Sequence, residues 1–236
     1  MKKAIAIVGE SMPAEAVKTL RKDFHVIILP RDNYVAHQVS SHPDMILTVF
    51  DAKIFCHKSY AENNGSVLSE ISRLCGLDII PCEGKRSEKY PEDVAFNVLT
   101  MNGTLLGRRD SIAEELKVYP IVSTRQGYAG CPSLFAAGHV IPADPAILKS
   151  ARENNIPTEE VSGEGISLPG YDKGFIGGAC GVFGTSVYLC GSPDSFPAGI
   201  SLNEVCRKLG LQLISLCEGP VLDVGGIKFV PFSIEK

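Results

Sequence analysis

Gly178-Ala179-Cys180-Gly181-Val182-Phe183, then Gly184-Thr185, then Ser186-Val187-Tyr188-Leu189-Cys190 is two apolar runs meeting across a two-residue turn. That is the pattern of a β-hairpin. The same form recurs at residues 44–50, Asp51-Ala52 and 53–56, and at residues 93–99, Met101-Asn102-Gly103 and 104–106. It recurs again at residues 131–137, Gly138-His139 and 140–142, and at residues 219–224, Gly225-Gly226 and 227–230. The Asn102-Gly103 pair predicts a type I′ turn, which needs positive φ at both central residues. The five patterns begin at 44, 93, 131, 178 and 219, a near-regular spacing that marks an internal repeat.

The chain ahead of each hairpin repeats too, as a short helix followed by a short apolar strand. Residues 13–22, 66–74, 111–118, 145–153 and 201–209 carry apolar side chains at helical spacing, the third of them weakly. Strands are expected at 24–29, 77–80, 119–123, 156–161 and 211–216. Ser66, Asp144 and Ser201 read as N-caps, and Gly76 and Gly210 as helix stops. One helix–strand–hairpin unit cannot cover its own apolar faces. Five set in a ring can, with strands inside and helices outside, and the strand at residues 2–8 would complete a unit at the closure. The competing arrangement is an open α/β sheet, but parallel crossovers do not need a hairpin at every step.

The chain has 236 residues, 44% hydrophobic and 21% charged. That is an ordinary globular composition, long enough for a core without disulfides or a structural metal. It is read as a single domain over residues 1–236. A net charge of −4 gives no basic excess for nucleic acid. The opening apolar run, residues 4–8, is too short for a signal core or a membrane span. A cytoplasmic protein with eight reduced thiols is therefore expected, with no membrane association. The cysteines form no Cys-x-x-Cys pair and His42 and His57 stand singly, so no metal site is expected. Gly174, Gly177, Gly178 and Gly181 precede a strand, not a helix, so they make no dinucleotide fingerprint, and no cofactor is implied.

Arg125-Gln126-Gly127-Tyr128-Ala129-Gly130-Cys131 and Leu168-Pro169-Gly170-Tyr171-Asp172-Lys173-Gly174-Phe175-Ile176-Gly177-Gly178-Ala179 resemble a bacterial family of unknown function with the guanidine-group-modifying enzyme (GME), or pentein, fold. The resemblance spans most of the chain. It implies an α/β-propeller of five pseudo-repeats around a central polar channel. Characterised members of the fold include arginine and agmatine deiminases, dimethylarginine hydrolases, amidinotransferases and a non-enzymatic ribosome anti-association factor. Its enzymes use a cysteine nucleophile in the last repeat's hairpin, a histidine in the fourth repeat, and carboxylates that hold the guanidinium. Here residues 221–230 contain no cysteine, Lys228 lies near its expected place, and no histidine follows His139. The Cys–His pair does not carry over, and guanidine hydrolysis by that route is not expected.

A ring would bring the start of each hairpin to the channel, gathering His42, Asp44, Asp93, Asn97, Arg125, Gln126, Cys131, Asp172, Cys180, Glu218 and Asp223. So many carboxylates favour a cationic ligand. The ligand-binding candidates are Asp44, Asp93, Asn97, Arg125, Gln126, Asp172 and Glu218, with Arg125 clamping a carboxylate and Asp93 or Asp172 holding a cation. The plain alternative is turn chemistry, since Pro43-Asp44 and Pro91-Glu92-Asp93 also read as turns. Cys131 and Cys180 are the candidate nucleophiles; each is equally a small buried residue where backbones pass closely. Three functions stay open: binding of a small guanidino or amino-acid-like ligand, a non-catalytic scaffold on the same fold, and a divergent hydrolase or amidinotransferase using Cys131 or Cys180. An open-sheet oxidoreductase or transferase is the alternative if the ring fails.

Overall fold

Residues 2–84, 87–194 and 196–233 are described by a computed structural model. The chain opens with β1 (Ile5–Gly9), α1 (Ala14–Asp23) and β2 (His25–Leu29). A one-turn helix α2 (Pro43–Ile46) leads into the hairpin β3 (Leu47–Phe50) and β4 (Lys53–His57), followed by α3 (Lys58–Asn63), α4 (Gly65–Cys75) and β5 (Asp78–Cys82). Next come β6 (Leu99–Thr100), β7 (Leu105–Gly107) and β8 (Ile121–Ser123), then β9 (Ser133–Ala136), β10 (His139–Pro142) and α5 (Pro145–Glu153). The chain ends with β11 (Ile166–Ser167), β12 (Cys180–Phe183), β13 (Ser186–Leu189), α6 (Pro197–Lys208), β14 (Gln212–Ser215), β15 (Val221–Leu222) and β16 (Lys228–Val230).

One sheet plan repeats. An antiparallel pair is extended by a parallel third strand, giving β3-β4-β5, β6-β7-β8 and β12-β13-β14. The pair β9-β10 has only a parallel bridge, Val140 to Thr158, in place of its third strand. The remaining sheet, β16-β1-β2, has the same plan but draws on both ends of the chain: Ile5 pairs with Val230 antiparallel and with His25 parallel. A helix carries the crossover to each parallel third strand in the sheets holding α1, α4 and α6 and packs its apolar stripe on the strands. In α1 that stripe is Ala16, Val17 and Leu20, and Phe24 just beyond it stands edge-on to Phe183 and Tyr188, each with ring centroids 5.3 Å away. Burying Val17, Leu20 or Phe24 contributes about 1.5–3 kcal/mol each.

Local sequence explains most boundaries. At α5, Pro145 sits at the first helical position and the Asp144 carboxylate caps it, with Oδ1 accepting from Ala146 N at 2.8 Å and Ile147 N at 3.1 Å. Asp144→Ala is expected to cost about 1 kcal/mol, a fall of about 2–4 °C in a thermal melt; an unchanged Tm would refute the cap's contribution. Gly76 and Gly210 take left-handed conformations (φ 65° and 67°) at the ends of their helices, as expected.

Several expectations are corrected. Ser66 and Ser201 cap nothing: α4 begins at Gly65 and α6 at Pro197, so both serines lie inside helices. Residues 111–118 form only a 3-10 turn at Glu114–Leu116, and residues 156–161 make only the single bridge. The type I′ turns are at Asp51-Ala52 (φ 50° and 54°) and Ala137-Gly138 (φ 48° and 76°). At Asn102-Gly103 only the glycine is left-handed, and Met101 N bonds to Thr104 O across the turn. The fifth hairpin does not close on itself. β15 pairs parallel with β11, while β16 pairs with β1. Gly225 and Gly226, both at positive φ, turn the chain between these two partners instead of joining two paired strands.

Candidate functional site

Four loops and the one-turn helix α2, each just ahead of a strand, meet at one point. Asn97 Nδ2 donates to Asp44 O at 3.3 Å, and Asn97 Oδ1 accepts from Cys131 N at 3.1 Å. Cys131 O accepts from Gly178 N at 3.0 Å, and Gly178 O from Val224 N at 2.9 Å. Gly225 O then accepts from Asp44 N at 3.1 Å, which returns the circuit to its start. Glycine is required where neighbouring atoms come this close to the chain. A Cβ on Gly178 would lie 2.1 Å from Asp223 Oδ1, and one on Gly225 would lie 2.3 Å from the His42 Cβ.

This hub is polar and sealed. His42, Asp44, Asn97, Cys131 and Asp223 are each at most 5% exposed. The Cys131 thiol donates to Asp44 Oδ2 at 2.9 Å and accepts from Asn97 Nδ2 at 2.9 Å. Asp223 Oδ2 accepts from Phe175 N at 2.8 Å and its Oδ1 from Gly225 N at 3.0 Å, with His42 Nδ1 3.7 Å from that same oxygen. Burial pushes the Cys131 thiol up, and the Asp44 and Asp223 charges push it further. Burial, aided by the Asp44 charge, lifts the Asp223 carboxyl to about 7 against the pull of its two backbone N–H groups. Burial likewise lowers the His42 pKa, outweighing the opposing effect of Asp44. The His42–Asp223 contact therefore has the spacing of an ion pair, but its surroundings disfavour charge on both partners.

Asp93 sits beside the hub at a cavity of about 430 Å³. The Tyr128 hydroxyl donates to Asp93 Oδ2, while Asp93 Oδ1 is buried with no hydrogen-bond partner. Burial raises the Asp93 pKa despite that hydrogen bond. The cavity wall also carries Glu83, Glu92, Asp110 and Glu114, with Met45 and Phe96 at its apolar side. Lys58, Arg108 and Lys117 pair with Glu83, Asp110 and Glu114 respectively. Tyr90 packs against Tyr128, with ring centroids 5.7 Å apart.

The other candidates lie elsewhere. Gln126 donates to Asp144 Oδ2 at 2.9 Å, tying its loop to the α5 cap. Arg125, Asp172 and Glu218 are exposed. Cys180 begins β12 within an apolar cluster that includes Leu189, Leu202 and Val221, and burial pushes its thiol up. Of the candidate set, the structure brings Asp44, Asn97 and Cys131 together, with His42 and Asp223, and places Asp93 next to them. Tyr128 is marked by the sequence only as a member of the 125–131 stretch quoted above. Among the described residues, no group of three or more His, Cys, Asp or Glu side chains is arranged to hold a metal ion.

Solved structures share the architecture. A cysteine-to-serine mutant of DDAH from Pseudomonas aeruginosa, complexed with citrulline, is 8% identical, covering 97% of this chain and 100% of that one, with a TM-score of 0.57. C. jejuni agmatine deiminase is 7% identical over 99% and 95% of the two chains, with a TM-score of 0.55. SxtG, an amidinotransferase from Microseira wollei, is 11% identical over 94% of each, with a TM-score of 0.51. These are pentein-fold guanidine-modifying enzymes, and at such identities the likeness establishes the mixed α/β fold alone. No match was found among curated proteins. A model described as "Family of unknown function (DUF6873)" matches residues 7–228.

Proposed function

The chain belongs to the DUF6873 family of unknown function, and from that premise we propose that it is a five-unit pentein propeller of one domain, residues 1–236. On this reading it binds a small cationic ligand of guanidino or amino-acid-like chemistry. The ligand sits in the cavity beside the hub, and the protein does not use the fold's usual Cys–His pair. Nucleic acid and membrane have no part in the reading. Among the described residues no helix is long and apolar enough to cross a membrane, which is compatible with the cytoplasmic location the reading assumes.

The observation that carries it is Asp93. One carboxylate oxygen is held by Tyr128, and the other is buried, unpartnered and at an acidic cavity. A buried acceptor without a donor is costly, and a guanidinium or ammonium N–H would satisfy it with a charge-assisted bond. Ligand binding would also favour the ionised carboxylate that burial alone disfavours. A thermal-shift screen with arginine, agmatine, citrulline and nucleotides tests this. A guanidino ligand at about a hundred times its Kd stabilises by about 2.7 kcal/mol, or about 5–10 °C here. Asp93→Asn should abolish the shift and Tyr128→Phe should shrink it. A flat response to every guanidino compound, or a shift retained in Asp93→Asn, would sink the reading.

A non-catalytic scaffold or macromolecule-binding role is the second reading, and the sealed hub favours it. Cys131 and Cys180 are both buried thiols with raised pKa values, and a thiolate, not a thiol, is the nucleophile. The hydrolase or amidinotransferase alternative requires one of them to become accessible and charged. Turnover of a guanidino compound that is lost in Cys131→Ser or Cys180→Ser would establish that alternative and remove this one.

A further inference from the structure

We propose that Cys190 and Cys217 are a reversible redox modification site, closing to a disulfide in the presence of a small-molecule disulfide such as oxidised glutathione. Their Sγ atoms lie 4.0 Å apart. The two residues lie just beyond neighbouring parallel strands: β13 and β14 run in register to Leu189 and Ser215, Cys190 follows β13 directly, Cys217 stands one residue past Leu216, and Leu216 N donates to Leu189 O at 2.9 Å. Neighbouring strands lie about 4.8 Å apart and one residue of offset adds about 3.3 Å along the strand, which puts a diagonal pair at about 6 Å between Cα atoms, within the reach a disulfide needs. The backbone around the pair is already fixed. The Ser215 hydroxyl bonds to both Gly191 O and Cys217 O at 2.9 Å, and Leu222 N donates to Cys190 O at 2.9 Å.

The two thiols have unequal access, which sets the order of events. Of the eight cysteines, Cys217 alone is partly exposed, and Cys190 is fully buried behind it. The Cys217 thiolate attacks one sulfur of glutathione disulfide, forming a mixed disulfide and releasing one glutathione thiolate, which takes up a proton. Burial holds the Cys190 thiol protonated, so the second step is the slow one: Cys190 gives up its proton to solvent, its sulfur attacks the adjacent Cys217 sulfur, the protein disulfide forms and the second glutathione leaves as a thiolate that takes up a proton. Two protein thiols are oxidised, and the reagent takes up the two electrons and two protons as two molecules of reduced glutathione. The site reports toward the hub: Cys190 O holds Leu222 N, and the next residue is Asp223. Closing the bond pins the segment that delivers that carboxylate.

The test incubates the native protein in glutathione buffers of graded oxidised-to-reduced ratio. Acid quenching, alkylation under denaturing conditions and mass spectrometry then follow. The expected result is loss of two alkylation sites, leaving six of the eight, with peptide mapping that links Cys190 to Cys217 and recovery of all eight after dithiothreitol. Cys217→Ser should retain all seven remaining thiols under the same oxidation and melt at the temperature of the reduced parent. Eight alkylated thiols at every ratio would overturn the proposal. So would a stable glutathione adduct left on Cys217, or a linkage between any other pair.

Discussion

Gly177→Ala is expected to lower the melting temperature by about 6–12 °C or to prevent folding. A Cβ at this position would lie 2.3 Å from Gly130 O, 2.4 Å from Ser133 O and 2.6 Å from Cys131 O. All three are backbone atoms of the loop that carries Cys131 into the hub, so no side chain can swing aside. Gly177 has no positive φ, and the cost is therefore one of space alone. Overpacking a filled interior typically costs about 1–3 kcal/mol, and three simultaneous backbone clashes place this substitution at or above the upper end. In a chain of this size each kcal/mol moves Tm by about 2–4 °C. Gly65→Ala is the control. It stands at the start of α4 with nothing within 4 Å of the added methyl and no positive φ, so its Tm should hold or rise slightly. Equal melting of the two variants would mean that the hub is not the close-packed junction described.

The second large effect is a pH dependence centred on His42. Its pKa is lowered in the folded protein by burial. Below about 6.5, the ordinary imidazole value, the unfolded chain binds a proton that the folded one refuses. The His42 contribution is thus complete above that pH and lost as pH falls toward the lowered value. Asp223 has the opposite sign. Burial and the Asp44 charge push its carboxyl up to about 7 in the fold, so the folded state holds a proton that the unfolded chain releases above about 4. Its contribution is present at low pH and lost as pH rises from about 4 to about 7. Over most of that window the two slopes cancel, because each state of the pair carries one proton. His42→Asn removes one of them. Its stability by denaturant titration should fall as pH rises from 4.5 to 6.5, by up to about 1.4 kcal/mol per pH unit relative to the parent. The damage done by the substitution is then greatest near neutrality and smallest in acid. Parallel profiles for the two proteins would refute the opposing titrations.

What was readable from sequence is what is local. The α5 limits follow from Asp144-Pro145 and a run of apolar residues, and the turn at Gly184-Thr185 follows from two flanking apolar runs. The fifth hairpin failed because its partners are remote: nothing within residues 219–230 says that Val221 will meet Ile166 or that Val230 will meet Ile5. The site divides the same way. Asp44 is the cap-like residue after a proline that turn chemistry predicts, yet its carboxylate ends on a thiol 87 positions away. Asn97 is named as a channel-facing candidate, but nothing in the sequence says that its side chain will bond to the α2 backbone at Asp44 and to the loop at Gly130. Tyr128 lay in plain view within a conspicuous stretch, but a tyrosine between glycine and alanine carries no mark of the carboxylate it will meet.

The pairing of Ile5 with Val230 has a consequence for how the molecule is made. While the chain is still leaving the ribosome, β1 can pair with β2 but its other edge stays bare until β16 emerges. A strand edge left open is a template for pairing with another chain, and contacts so distant along the chain are slow to form. The growing chain therefore carries a sticky seam from the emergence of β1 until that of β16, and anything that shields that seam during translation governs how much of the protein reaches the finished form.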